Sequence, residues 1–266
     1  MDFTVSIYND LVKALIEAKY TMQTYAQFVE HPVNRSIILR HDVDKRKKNS
    51  LNFASIQHQL GVKGTYYFRV VPESYDEKVI REISEMGHEI GYHYETMDTC
   101  KGDVDGAYNE FCRNLERFRK LVNVTTICMH GSPLSKFDNR EIWKKYNYKQ
   151  LGLIAEPYFD LDFNRVFYLT DTGRKWDGDK VSVRDKVMEG RVIDNEAFLK
   201  SRFHTTQDII SAIKGSKFPD QVMMTFHPQR WTDNKAEWCE ELIVQNVKNI
   251  AKAVLVKQNN KISIAK

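Results

Sequence analysis

Seven short apolar runs punctuate this chain, and stretches of helical spacing divide most of them. That alternation constrains the fold more than any other feature. The runs cover residues 36–43, 64–71, 88–94, 125–130, 152–156, 165–170 and 221–227. Helical stretches are predicted over 48–60 and 75–86, each closed by a glycine, Gly61 and Gly87. Others are predicted over 103–121, 139–146, 206–214 and 235–256. Residues 8–30 also read as one helix, with Leu11, Leu15 and Ala18 at helical spacing, broken at His31-Pro32. This gives an N-terminal helical segment of about residues 1–32. Strands that alternate with helices run parallel and are covered by those helices. A closed barrel and a doubly wound sheet both satisfy the pattern.

The chain has 266 residues, which suits a single α/β barrel. No repeat, low-complexity block or linker divides it, so one domain is expected. With 42% hydrophobic and 29% charged residues, it can bury a core without disulfide staples. The four cysteines include no C-x-x-C pair, which excludes a zinc ribbon or a thioredoxin-type motif. The net charge of +4 is too slight for a dedicated nucleic-acid binder and leaves room for an anionic small substrate. No run approaches 18 apolar residues, so no membrane span is expected. The first ten residues lack the basic and apolar regions of a signal peptide, and cytoplasmic residence is the default expectation.

Four runs end in groups that carry chemistry: Arg40-His41-Asp42-Val43-Asp44, His93-Tyr94-Glu95, His130-Gly131-Ser132-Pro133 and His227-Pro228. In parallel α/β folds the C-terminal strand ends gather on one face, where ligands bind. Five of the eight histidines lie at or near such ends: His41, His88, His93, His130 and His227. Carboxylate and imidazole are ordinary zinc ligands, and a catalytic site keeps one position open. Of Asp42 and Asp44, one is free to act as a base while the other binds metal. Plainer roles compete. Asp44 suits a helix N-cap, His93 a satisfied core histidine, His130 a turn and His227 a strand terminus. Four such coincidences would have to align.

Two further segments carry charge. Lys45-Arg-Lys-Lys reads as a solvated run or as an attractor of a phosphate-bearing substrate. Asp171-Thr-Gly-Arg174-Lys-Trp176 joins a carboxylate, a guanidinium and an indole. It reads as a sugar-binding loop or as a turn with a buried Trp176.

The order of these clusters resembles the polysaccharide deacetylase family, also called the NodB-homology family or carbohydrate esterase family four. The resemblance spans roughly residues 37–231. Gly87-His-Glu-Ile-Gly-Tyr-His resembles the second family motif, with His93 at its first metal histidine. Leu39-Arg-His-Asp-Val-Asp resembles the first motif, with Asp42 at the catalytic base. Thr225-Phe-His resembles the last, with His227 as general acid. The family fold is a distorted barrel of about seven β/α units. The adjacent aspartate pair is replaced, so the resemblance assigns the metal aspartate to Asp44. The second metal histidine falls at Met97, a poor zinc ligand; Glu95, Asp98 or His130 is left to complete the set. Arg40 stands in for an arginine that normally supports the base. Asp171, Arg174, Trp176 and Tyr94 are candidate substrate contacts.

An Arg-His-Asp-Val-Asp opening resembles a divergent branch associated with bacterial surface glycans, including O-antigen. The resemblance implies a metal-dependent hydrolase, with Zn²⁺ or a similar divalent ion, that removes an N-acetyl group from a sugar or sugar nucleotide. The alternatives are a metal-free glycan-binding relative and a hydrolase of another non-peptide carbon–nitrogen bond.

Overall fold

A computed structural model describes residues 1–131, 135–176 and 203–264. The chain begins with α1 (Val5–Glu17), β1 (Thr21–Gln23), α2 (Tyr25–Glu30) and β2 (Ser36–Val43). It continues with α3 (Lys48–Gln59), β3 (Thr65–Phe68), α4 (Glu77–Glu85), β4 (Glu89–Tyr94), α5 (Thr96–Thr99), α6 (Val104–Arg119) and β5 (Ile127–Met129). Two 3₁₀ turns, Asn139–Lys144 and Tyr148–Leu151, lead to α7 (Pro157–Asp160) and β6 (Phe167–Thr170). Then come α8 (Thr206–Lys214), β7 (Gln221–Phe226), a 3₁₀ turn at Pro228–Arg230 and α9 (Lys235–Ile264).

The strands form one sheet in the order β5-β4-β3-β2-β7-β6, and every pairing is parallel. The result is a distorted (β/α) barrel in a single domain. All eight residues of β2 are buried, as expected of its most central strand. Alternation gives each strand two faces. On β2, Arg40 and Asp42 share one face, and Leu39, His41 and Val43 the other. The second face lies under helices. His41 is fully buried there, its imidazole stacked on Tyr66 at 4.1 Å and bonded to Tyr8 and Gln57.

The N-terminal segment is not one helix. Lys19 at φ 62° ends α1, and Thr24 with Gln27 forms a capping box that starts α2. Between them, β1 pairs in parallel with residues 36–38 of β2. Residues 40–43 then pair with β3, so β1 and β3 follow one another along the same edge. The expected strand at 152–156 shrinks to a single bridge between Ala155 and Thr126. Gly152 at φ 73° closes a 3₁₀ turn, and Glu156 already caps α7. Too few residues lie between those signals to build a strand. α7 itself then opens the segment that leads to β6.

Glu156 is completely buried and accepts hydrogen bonds from the Met129 and Tyr158 amides, at 3.0 and 2.6 Å. Burial pushes its carboxyl from 4.5 up to about 7, despite those two bonds. The folded protein therefore holds this proton more tightly than the unfolded chain. Stability from this group is fully present below about pH 4.5 and falls as pH rises toward 7, by about 3 kcal/mol. Chemical denaturation at pH 5 and 7 checks this. Glu156→Gln is expected to remove that part of the slope.

Candidate active site

Four strand ends deliver the candidate side chains to one place. Arg40 grips Asp42 with two parallel hydrogen bonds, Nε to Oδ1 at 2.8 Å and Nη2 to Oδ2 at 2.7 Å. Both residues are buried, and their i, i+2 spacing on β2 puts them on one face. Burial alone would raise Asp42. Arg40, and after it His93, outweigh burial and hold the carboxyl below its ordinary value.

Asp44 follows the strand. It does not cap α3, whose first position is preceded by Lys47 with no side-chain cap. Its Oδ1 is buried without a hydrogen-bond donor. His130 Nδ1 lies 3.3 Å from that oxygen, and His93 Nε2 lies 3.7 Å from it. The two imidazole nitrogens are 3.3 Å apart. Zinc bonds of about 2.0–2.1 Å in a tetrahedron put neighbouring ligand atoms roughly 3.3 Å apart. Asp44, His93 and His130 thus fit a divalent metal in spacing and in donor type.

The two histidines differ in protonation. His93 Nδ1 donates to the Cys128 carbonyl at 2.9 Å, which leaves Nε2 as the lone-pair nitrogen. Burial lowers its pKa to about 4, against the pull of Asp42 and Asp44, so it stays neutral. His130 behaves differently. Burial works against its proton, but Asp44 outweighs burial and raises its pKa above an ordinary histidine. The Asn139 amide fixes the His130 backbone by donating to its carbonyl at 2.8 Å.

The other candidate ligands lie elsewhere. Glu95 is held by both Nε and Nη2 of Arg69, and its Oε2 is 3.9 Å from His130 Nε2, the nitrogen turned away from Asp44. Asp98 bonds Ser135 and the Asn139 amide. Met97 is buried, and its amide donates to Asn139. Cys128 offers a thiol near Asp42 and His93, a soft donor that the sequence did not single out. Asp42 is already committed to Arg40, which leaves the Asp44 set the better metal cradle.

His227 stands opposite, with Nε2 3.9 Å from Asp44 Oδ2. Its Nδ1 bonds Asp171 Oδ1 at 2.5 Å. Asp171 is fully buried and also accepts from the His227 amide, Arg230 and Trp231. Its carboxyl is thereby an orienter of His227, where the sequence suggested a substrate contact. Burial would raise Asp171, but His227 and then Arg230 hold it below its ordinary value.

Arg174, Trp176 and Tyr94 are also packed inside. Arg174 sits between the Phe3 and Trp238 rings and donates to the Trp238 carbonyl. Trp176 packs against Phe3, Phe226 and Trp231, and its Nε1 donates to Thr206, so protein already covers the indole. Tyr94 lies on the helix-covered face of β4, where Trp143 donates to its hydroxyl. His41 and His88 are likewise core residues: His88 accepts from the Gly64 amide and bonds the Ala54 carbonyl, and burial holds both histidines neutral. Ser132 and Pro133 lie outside the described residues.

Three of the four basic residues make ion pairs. Lys45 pairs with Glu241, Arg46 with Glu240 and Lys47 with Asp76.

Sequence reasoning missed Gln229. It is buried, and its Nε2 donates to Asp44 Oδ2 at 3.2 Å. That bond occupies one Asp44 oxygen and leaves the other facing the two histidines. Loss of such an outer contact typically weakens metal binding 10- to 100-fold. Gln229→Met is expected to bind Zn²⁺ roughly tenfold or more weakly by competition titration, with its fold intact. The only sequence signal was proximity, two residues after His227.

No protein-family model matches the chain, and neither does any curated protein. Among solved structures it is similar to a CE4 family pseudoenzyme from Bacillus anthracis, at 13% identity and a TM-score of 0.44. That match covers 84% of this chain and 63% of the other, so this chain spans less than two thirds of that neighbour. It is also similar to the Xyl-CE4 domain of a multidomain xylanase from the hindgut metagenome of Trinervitermes trinervoides. There the identity is 13%, the TM-score 0.38, and the coverage 86% of this chain and 85% of the other. No helix among the described residues is long and apolar enough to cross a membrane.

Proposed function

We propose that this protein is a metal-dependent amidohydrolase that removes an N-acetyl group from a sugar or sugar nucleotide of a bacterial glycan. One observation carries the reading: the buried Asp44 Oδ1, which lacks a hydrogen-bond donor, faces His93 Nε2 and His130 Nδ1 at ligand spacing. Asp44, His93 and His130 would hold the ion. His130 supplies the second imidazole that Met97 cannot. A divalent ion there would polarise the acetamide carbonyl and lower the pKa of water.

The remaining roles belong to the chain. Asp42 takes the proton of the attacking water. Arg40 fixes that carboxylate in one orientation and keeps it ionised. Each carboxylate oxygen has lone-pair capacity beyond the bond to Arg40, so a proton can be accepted at Oδ2. His227 protonates the leaving nitrogen from Nε2, while Asp171 holds Nδ1 and fixes the ring's orientation. The burial of Asp42 and His93 limits bulk water at the reacting centre.

The test is acetate release from N-acetylated sugars and sugar nucleotides, with metal-stripped and zinc-loaded protein. Release that depends on metal is expected. Tight metal binding with no acetate from any glycan would sink the substrate assignment and keep the site.

A further inference from the structure

Each of the three candidate ligands has a partner behind it. The Gln229 amide donates to Asp44 Oδ2, and the Cys128 carbonyl accepts from His93 Nδ1. His130 has Glu95. Its Nδ1 faces Asp44 Oδ1 at 3.3 Å, while its Nε2 faces Glu95 Oε2 at 3.9 Å. The imidazole thus stands between two carboxylates. Asp44 draws an imidazole proton to Nδ1, the nitrogen that a ligand needs bare. Glu95 draws it to Nε2, away from the cradle. At 3.9 Å that pull is electrostatic, beyond hydrogen-bond reach.

Arg69 makes Glu95 a fixed charge. It follows β3 and spans the ends of two other strands. Its Nε and Nη2 hold the two Glu95 oxygens at 3.0 and 2.7 Å, and its Nη1 donates to the Asp44 carbonyl at 3.3 Å. Its own amide donates to the buried Ser74 at 2.9 Å, and Ser74 donates to the Val43 carbonyl. One guanidinium therefore ties the strand end that carries Asp44 to the carboxylate that faces His130. The Arg69 and Glu95 side chains are 21% and 14% exposed, so solvent ions screen the pair little. Each Glu95 oxygen keeps lone-pair capacity beyond its bond to Arg69.

We infer that Glu95, held by Arg69, is the positioning residue of His130: it keeps the imidazole proton on Nε2 and leaves Nδ1 to bind the metal. This role rests on the metal cradle proposed above. A carboxylate behind a ligating imidazole fixes its tautomer and ring orientation and raises its basicity. Glu95 acts through His130 and is not itself a ligand, because it meets the nitrogen turned away from Asp44.

Zinc competition titration and histidine ¹⁵N–¹H correlation spectra of the full chain test this. In the zinc-loaded native chain, His93 is expected to bind through Nε2 and His130 through Nδ1, each with its other nitrogen protonated. Glu95→Ala is expected to take one ion at saturating zinc but to hold it roughly 10- to 100-fold more weakly. Its His130 Nε2 proton should exchange faster with water, while the His93 Nδ1 proton, on the Cys128 carbonyl, stays as in the native chain. A general loosening of the fold would disturb both protons alike. Arg69→Lys keeps the cation without the two-bond grip, and should move affinity and the His130 signal the same way by less. Unchanged zinc affinity in Glu95→Ala overturns the inference and leaves the cradle standing. So does a native His130 bound through Nε2, or an equal disturbance of both histidine protons. A native chain that binds no zinc overturns the cradle and the role of Glu95 together.

Discussion

Arg40→Leu is expected to cost about 3–5 kcal/mol of stability, because it leaves the Asp42 carboxylate buried without its partner. Both side chains lie almost wholly out of water, and the two hydrogen bonds between them are short. Removing one member of such a pair costs far more than removing both. The double variant Arg40→Leu, Asp42→Leu should therefore recover most of the loss, and thermal denaturation of the native chain, Arg40→Leu, Asp42→Leu and the double variant checks it. At about 2–4 °C per kcal/mol for a chain of this size, the single variant should melt roughly 10 °C lower. Equal destabilisation by the single and double variants would show that the pair is not the source.

Asp42→Asn is expected to lower kcat by about 10²- to 10⁴-fold, the range that general acid–base catalysis supplies. Metal binding should survive it, because Asp42 lies outside the Asp44, His93 and His130 set. The amide keeps the shape of the carboxylate but cannot take a proton. It also loses one of the two acceptors that Arg40 uses, so its stability must be measured alongside. Loss of metal with loss of activity would move Asp42 into the ligand set. Full activity would remove it from the reaction.

The sequence carried the architecture well, because the evidence for it is local. Apolar runs, glycine stops and helical spacing are written in neighbouring residues, and six of the seven expected strands formed. The Thr24-x-x-Gln27 capping box was also local, and it marked a break inside the segment read as one helix. The site was legible in position, since strand ends converge in a parallel fold. Its finer roles were not. Strand alternation separates Asp42 from His41 and His93 from Tyr94, but which face points inward depends on the closure of the whole sheet. Asp171 reads as a loop acid until residue 227 is folded beside it. Gln229 and Arg69 act only through partners far away in sequence, Asp44 and Glu95. Met97 occupies the expected position of a histidine, and His130, from the next strand end, is the imidazole that lies 3.3 Å from Asp44.

The proposed chemistry stands on Asp44, His93 and His130 as a metal cradle. Equilibrium dialysis against Zn²⁺ followed by elemental analysis tests it most directly, on the native chain and on Asp44→Ala, His93→Ala and His130→Ala. One tightly held ion per chain, lost in all three variants while Glu95→Ala keeps it, is the predicted result. A native chain that holds no zinc, or three variants that hold it as well as the native chain does, would rule out a metal cradle at these residues.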